Sequence, residues 1–190
     1  MSKGRLEAFS DGVLAIILTI MVLELKTPVD GTLSALRPLL PKFLSYILSF
    51  IFLGIYWNNH HHLWQAAKGV NGAVLWANLH LLFWLSLIPF VTGWMGEHFS
   101  AVPVALYGGV MWMSALAYYI MVRALLAHHE RDSLLASALG NKQKEMASLY
   151  IYTAAILLAF VAAWIAAVLY LVVAIIWLIP DRRIETKLIK

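Results

Sequence analysis

Four apolar runs, each about as long as a bilayer is thick, constrain this chain more than any other feature. They lie at residues 6–25, 41–60, 70–93 and 101–126, and a fifth, longer run occupies 147–179. A hydrocarbon core of about 30 Å needs roughly 20 apolar residues wound as helix. Within that core every backbone N–H and C=O must be satisfied inside the chain, which leaves helices or a closed barrel. Runs this long and this evenly apolar dictate helices. Composition agrees: 62% of the 190 residues are hydrophobic and only 13% are charged, far from the balance of a soluble domain. The expectation is an all-α polytopic membrane protein forming a single domain over 1–190.

Punctuation between the runs is clear. "KTPVDG", "HHHLWQAAKG" and "GWMGEHFSAVP" carry Gly, Pro and charge where helices can stop and start. Pro28, Pro38, Pro41 and Pro103 lie near boundaries, and Pro89, inside the third run, should bend its end. "AHHERDSLLASALGNKQKE" reads as a polar connection with room for a short surface helix. The last run is too long for one span and has no Gly or Pro to divide it. Charge decides its topology. If it turns back near Ala162–Ala167, eleven Lys and Arg lie on the N-terminal side of the membrane and three on the other. Basic residues concentrate in cytoplasmic loops, so the expected arrangement has six spans, the last two at about 147–163 and 166–180, in a cell membrane with both termini cytoplasmic.

The first run, "RLEAFSDGVLAIILTIMVLELK", keeps polar groups that a lipid-facing helix would discard. At about 100° per residue, Ile16, Thr19, Ile20 and Leu23 share one apolar stripe holding a single hydroxyl, extended downward by Gly12 and Phe9. Ser10 and Asp11 point away from that stripe. A stripe of this kind also serves ordinary packing, with Thr19 bonding a carbonyl of its own helix. Asp11 could likewise sit at the interface. Residue spacing alone stops at a polar network around the first helix.

Three ordered motifs go further. "RLEAFSDGV" resembles the R-x-x-x-F-S-D signature of the lysosomal (endolysosomal) potassium channel family in its short bacterial form. "YWNNHHHLW" resembles that family's W-x-x-H-H end of helix two, and "LWANLHLLFWLSLIPF" its W-x-N…P-F third helix. The likeness is specific over residues 5–93 and general beyond. It implies a potassium-selective channel, a homotetramer of six-helix subunits whose first helices line a central pore. Ile16, Ile20 and Leu23 would then form hydrophobic rings that close by dewetting, Ile16 the narrowest, and Thr19 would supply a ring of hydroxyls. Glu24 and Asp30 at the outer mouth would concentrate cations. Nothing resembles T-V-G-Y-G, so selectivity would rest on side chains and be modest.

Ser10 and Asp11 are expected to hydrogen-bond His60 or His61, Asn78, and Trp57 or Trp76. With Arg5 and Phe9 these make a structural scaffold for the first helix. His80 departs from the apolar residue the family pattern leads one to expect. His98, His128 and His129 read as solvated. The "HHH" run, His60 to His62, is a poor chelate, because neighbours on a helix diverge by about 100°. No metal or cofactor is expected, only potassium and other monovalent cations as permeants, and the net charge of +4 sits beside membrane segments rather than marking a nucleic-acid surface. The absence of cysteine removes thiol chemistry. No G-x-S-x-G, H-E-x-x-H, P-loop or GxGxxG occurs, so an enzyme is not expected. The rival function is a proton channel or ion-coupled transporter using Asp11 and histidines, against which the unbroken first helix argues.

Overall fold

The computed structural model describes residues 2–67, 69–128 and 143–178. Among these there is no strand. Seven α-helices follow in order: α1 Lys3–Leu23, α2 Leu40–Ala66, α3 Gly72–Ser86, α4 Ile88–Glu97, α5 Ala101–His128, α6 Gln143–Ala159 and α7 Ala163–Leu178, with a 3-10 segment, Leu33–Leu39, before α2. Four stretches are long and apolar enough to span a membrane: Lys3–Leu23, Leu33–Ala66, Gly72–Glu97 and Ala101–Ala127. The protein is a multi-pass, all-helical membrane protein.

The third run is divided as its proline demands. Pro89 has no N–H to donate backward, so α3 ends at Ser86 and α4 starts at Ile88. The ends of α3 are tied by side chains. Asn71 Oδ1 accepts from the Val74 N–H at 3.0 Å, and the Ser86 hydroxyl donates to the Phe83 carbonyl at 2.7 Å.

The final run does divide into two helices that pack against each other, α6 and α7. The turn falls at Phe160–Ala162, a few residues before the expected Ala162–Ala167. With 17 and 16 residues the two helices are about 25 Å long at 1.5 Å per residue, close to the thickness of a bilayer core. The polar connection's expected surface helix and the four basic residues of the tail lie outside the described residues.

Helix α5 is the axis of the fold, packed on α3, α4, α6 and α7, while α2 closes on α4 and α7. Approach between α2 and α4 is close enough to need glycine: a Cβ at Gly96 would lie 2.7 Å from the Lys42 Cα. There Lys42, almost fully buried, pairs with the half-exposed Glu97 at 2.8 Å, and further along α2 Ser49 shares hydrogen bonds with Thr92 at 2.7 Å and Tyr107 at 3.1 Å. These bonds satisfy polar groups that the bilayer interior would otherwise penalise. Helix α1 is different. It packs on α2, α3 and α4 from one side, with Leu6, Ser10, Leu14, Ile17 and Met21 as its buried face.

Candidate functional site

The opposite face of α1 is open. Ile16 is 60% exposed, Ile20 44% and Leu23 76%, against 4% for Leu14 and 3% for Ile17 on the buried face. This division follows from the helical period. Buried positions recur at 6, 10, 14, 17 and 21, and the Ile16 stripe lies more than a quarter-turn away. Thr19 is on the open face, and its hydroxyl donates to the Ala15 carbonyl at 2.8 Å. With the proton held by its own helix, the oxygen presents lone pairs outward among hydrocarbon neighbours. The open face is therefore an apolar column with a single acceptor position, Thr19. Phe9 continues it at 51% exposure, rather than joining the polar network, and Arg5, also exposed, makes no hydrogen bond with another described side chain.

At the C-terminal end of α1, Glu24 is exposed and lines a groove of about 400 Å³ together with Ile20, Phe90, Trp94, Glu97 and His98. Asp30 is exposed too. Hydrogen bonds from the Thr32 hydroxyl and the Thr32 N–H, the latter 2.9 Å, hold its carboxyl below the usual carboxylate range. It stays ionised to lower pH than an ordinary aspartate.

The buried face carries a directional chain of hydrogen bonds. Trp64 Nε1 donates to His60 Nδ1 at 3.0 Å, His60 Nε2 faces Asn78 Oδ1 at 2.8 Å, Asn78 Nδ2 donates to Ser10 Oγ at 3.0 Å, and Ser10 Oγ donates to the Leu6 carbonyl at 2.9 Å. The Asn78 oxygen can only accept, so His60 carries its proton on Nε2, leaving Nδ1 free to accept from Trp64; this is the tautomer that the network assigns. Trp64 Nε1 also lies 2.8 Å from Nε2, but that nitrogen is a donor in this tautomer and accepts no hydrogen bond from it. All four side chains are fully buried or nearly so, and none is charged. Such a chain fixes α1 against α2 and α3 without placing an ion in the membrane.

Asp11 stands apart from it. The carboxylate is exposed and accepts from Trp57 Nε1 at 3.1 Å. One turn below, Glu7 faces His61 Nδ1 at 3.0 Å, and His61 also meets Gln65 at 2.8 Å while stacking on Trp57 at 12°. The two adjacent residues Ser10 and Asp11 thus serve different contacts, the first buried with His60 and Asn78, the second on a half-exposed ladder with Trp57. Trp76 joins neither and is 75% exposed. Trp64, Glu7 and Gln65 escaped sequence reasoning. Trp64 lies four residues after His60 and Gln65 four after His61, a spacing that places each pair on one helix face and could have found them. His80 has a comparable partner, accepting from Trp84 Nε1 at 2.9 Å. Among the described residues no three His, Asp or Glu converge as a metal site would need.

Asn78 is the hinge of the buried chain, so Asn78→Ala should be far more damaging than Asp11→Ala. It strands the His60 Nε2–H and the Ser10 oxygen, each at about 1–3 kcal/mol. At roughly 2–4 °C per kcal/mol, the melting temperature of the purified protein should fall on the order of 10 °C. Asp11→Ala breaks one exposed bond and should shift it by only about 1–2 °C. Thermal melts followed by size-exclusion chromatography read both.

The sequence profile of the family described as endosomal/lysosomal potassium channel TMEM175 matches residues 5–89. The chain is 56% identical over 189 residues to a protein from Chryseobacterium sp. (strain P1-3) described as a potassium channel, covering 99% of this chain and 98% of that one. A crystal structure of a lysosomal potassium-selective channel TMEM175 homolog from Chamaesiphon minutus shares the fold with a TM-score of 0.81 at 27% identity, over 94% of this chain and 97% of the other. The human protein described as endosomal/lysosomal proton channel TMEM175 is 36% identical over 86 residues, which cover 39% of this chain and 17% of that protein. These relatives are ion channels, not enzymes.

Proposed function

The chain belongs to the TMEM175 family, and from that premise we propose that it is a potassium-selective cation channel of the cell membrane. Four copies assemble around a central axis, each a single domain of six spans with both termini cytoplasmic. Helix α1 of each copy, which opens with the R-x-x-x-F-S-D motif, lines the pore. One observation carries this reading: α1 buries one face against its own subunit and leaves the Ile16, Thr19, Ile20 and Leu23 column uncovered. A column turned to lipid has no use for its one set of outward lone pairs. Turned to a shared axis, it gives three apolar rings and one ring of four oxygens.

Passage follows from those rings. Potassium gathers at the outer mouth, where Glu24 and the persistently ionised Asp30 lower the local potential for cations. The ion then sheds part of its hydration in the column, and Thr19 oxygens replace some of it. Isoleucine and leucine rings offer no oxygen, so a narrow ring empties of water and closes the pathway. Ile16 forms the tightest ring and the gate. The scaffold of Ser10, Asn78 and His60 holds α1 at the radius this requires, and the Asp11–Trp57 contact steadies its cytoplasmic end.

The reading is tested with the purified protein in liposomes bearing a potassium gradient, with and without a protonophore. A channel should dissipate the gradient in proportion to the membrane potential, with potassium carrying the current when sodium is the competing ion. Flux that requires a coupled proton, or persists only as proton current, favours the transporter or proton-channel reading, which the name of the human relative keeps in view.

A further inference from the structure

Glu7 and Asp11 stand four residues apart on α1, and Trp57 and His61 four apart on α2, so each pair shares one helix face. Where the faces meet they form two rungs, Glu7 with His61 at 3.0 Å and Asp11 with Trp57 at 3.1 Å, and the two rings of α2 stack on each other at 12°. An indole keeps one charge state at every physiological pH, whereas histidine changes charge between about pH 5 and 8. The two rungs therefore differ in kind.

The surroundings of His61 accept both of its states. A carboxylate can only accept, so the ring holds a proton on Nδ1 toward Glu7. In the neutral ring Nε2 then accepts from the Gln65 amide, 2.8 Å away. A second proton makes Nε2 a donor, and a half-turn of the exposed Gln65 amide brings its oxygen round to meet it. Protonation strengthens two contacts at once. The bond to Glu7 becomes an ion pair, and the imidazolium lies over Trp57 with ring centroids 5.9 Å apart, within cation–π reach. Other ionisable groups at this end are engaged elsewhere or stand apart. Lys3 donates to the Ala67 carbonyl at 3.1 Å, Asp11 holds the second rung, and His60 is enclosed in the buried chain. His62 lies beside His61 with ring centroids 5.9 Å apart, Arg5 is exposed, and the one ionisable side chain of α3 is His80, bonded to Trp84.

We propose that Glu7 and His61 are a pH-responsive positioning pair for the pore helix: a proton on His61 turns a hydrogen bond into an ion pair that draws the cytoplasmic end of α1 onto α2. On the reading of α1 as the pore helix, on which this rests, α2 lies behind the open face. Tightening the pair then pulls α1 away from the axis, and cytoplasmic acid favours the wider pore. Both side chains are only partly buried, 39% exposed for His61 and 25% for Glu7, so the effect belongs to the modest range of surface ion pairs.

Melting temperatures of the purified wild type, Glu7→Gln, His61→Gln and the double variant form a cycle that separates this pair from the other histidines. At pH 5.5 the coupling should be about 1–3 °C, and at pH 8.0 it should fall toward zero, because a neutral imidazole bonds glutamine nearly as well as glutamate. Potassium flux in liposomes supplies the functional reading. Wild-type flux should rise about two- to fivefold from pH 8.0 to pH 5.5, and Glu7→Gln, which keeps the acceptor but loses the charge, should lose that rise. Coupling of equal size at both pH values, or the same flux ratio in wild type and Glu7→Gln, is the signature of a merely structural contact and overturns the proposal. Flux absent from every form at both pH values counts instead against the channel reading, and the melting cycle, which needs no conduction, still decides whether the pair responds to pH.

Discussion

Replacing Ile16 with asparagine should turn a closed ring into a leak. Ile16 projects from the open face of α1 at 60% exposure. In the proposed tetramer four such side chains around the axis would exclude water, and the barrier to an ion would be the hydration it must surrender there. Four amides restore oxygens and hydrogen-bond donors at nearly the same volume. Each 1.4 kcal/mol taken from a barrier multiplies a rate about tenfold, so conductance should rise by roughly tenfold or more. Discrimination among cations should weaken with it. Single-channel or liposome-flux recordings at matched protein density read the change. The substitution falls on the uncovered face, so the subunit should remain folded and its melting temperature little altered.

Thr19→Val should act on preference rather than on passage. Valine has nearly the shape of threonine but lacks the hydroxyl, whose donor bond to Ala15 is local to the helix. In the proposed tetramer, deleting it removes the ring of outward acceptors from the column. Net hydrogen-bond contributions of about 0.5–1.5 kcal/mol give the scale, which converts to roughly a two- to tenfold loss of potassium preference over sodium. Reversal potentials in mixed potassium and sodium measure it. An unchanged ratio would place the selective constriction elsewhere on the chain.

Much of this arrangement can be read from the residues, and the reasons differ by element. A bilayer tolerates few backbone solutions, so apolar runs of spanning length become helices whatever their neighbours. The open and buried faces of α1 follow from the helical period, and the break before Pro89 follows from a missing N–H. What the period does not supply is the position of neighbouring helices. Ser10 and Asp11 are adjacent and both polar, and only the placement of α2 and α3 sends one into the core and leaves the other at Trp57. For the same reason Trp76, which reads as a partner for the network, faces outward, while Trp64 four residues after His60 takes the role. The hairpin turn at Phe160–Ala162 has no Gly or Pro to mark it. The bundle's packing sets it, and charge balance could only indicate that it exists.

The central claim is that the Ile16 column of four subunits faces one axis, and disulfide formation measures that most directly. The chain has no cysteine, so single substitutions report without background. Ile16→Cys and Leu23→Cys, oxidised in membranes, should yield covalent dimers, because matched positions on a four-fold axis approach their own copies. Ser10→Cys and Leu14→Cys, on the buried face, should not. Crosslinks at Ser10 or Leu14 with none at Ile16 or Leu23 would contradict the assigned pore face and with it the proposed channel.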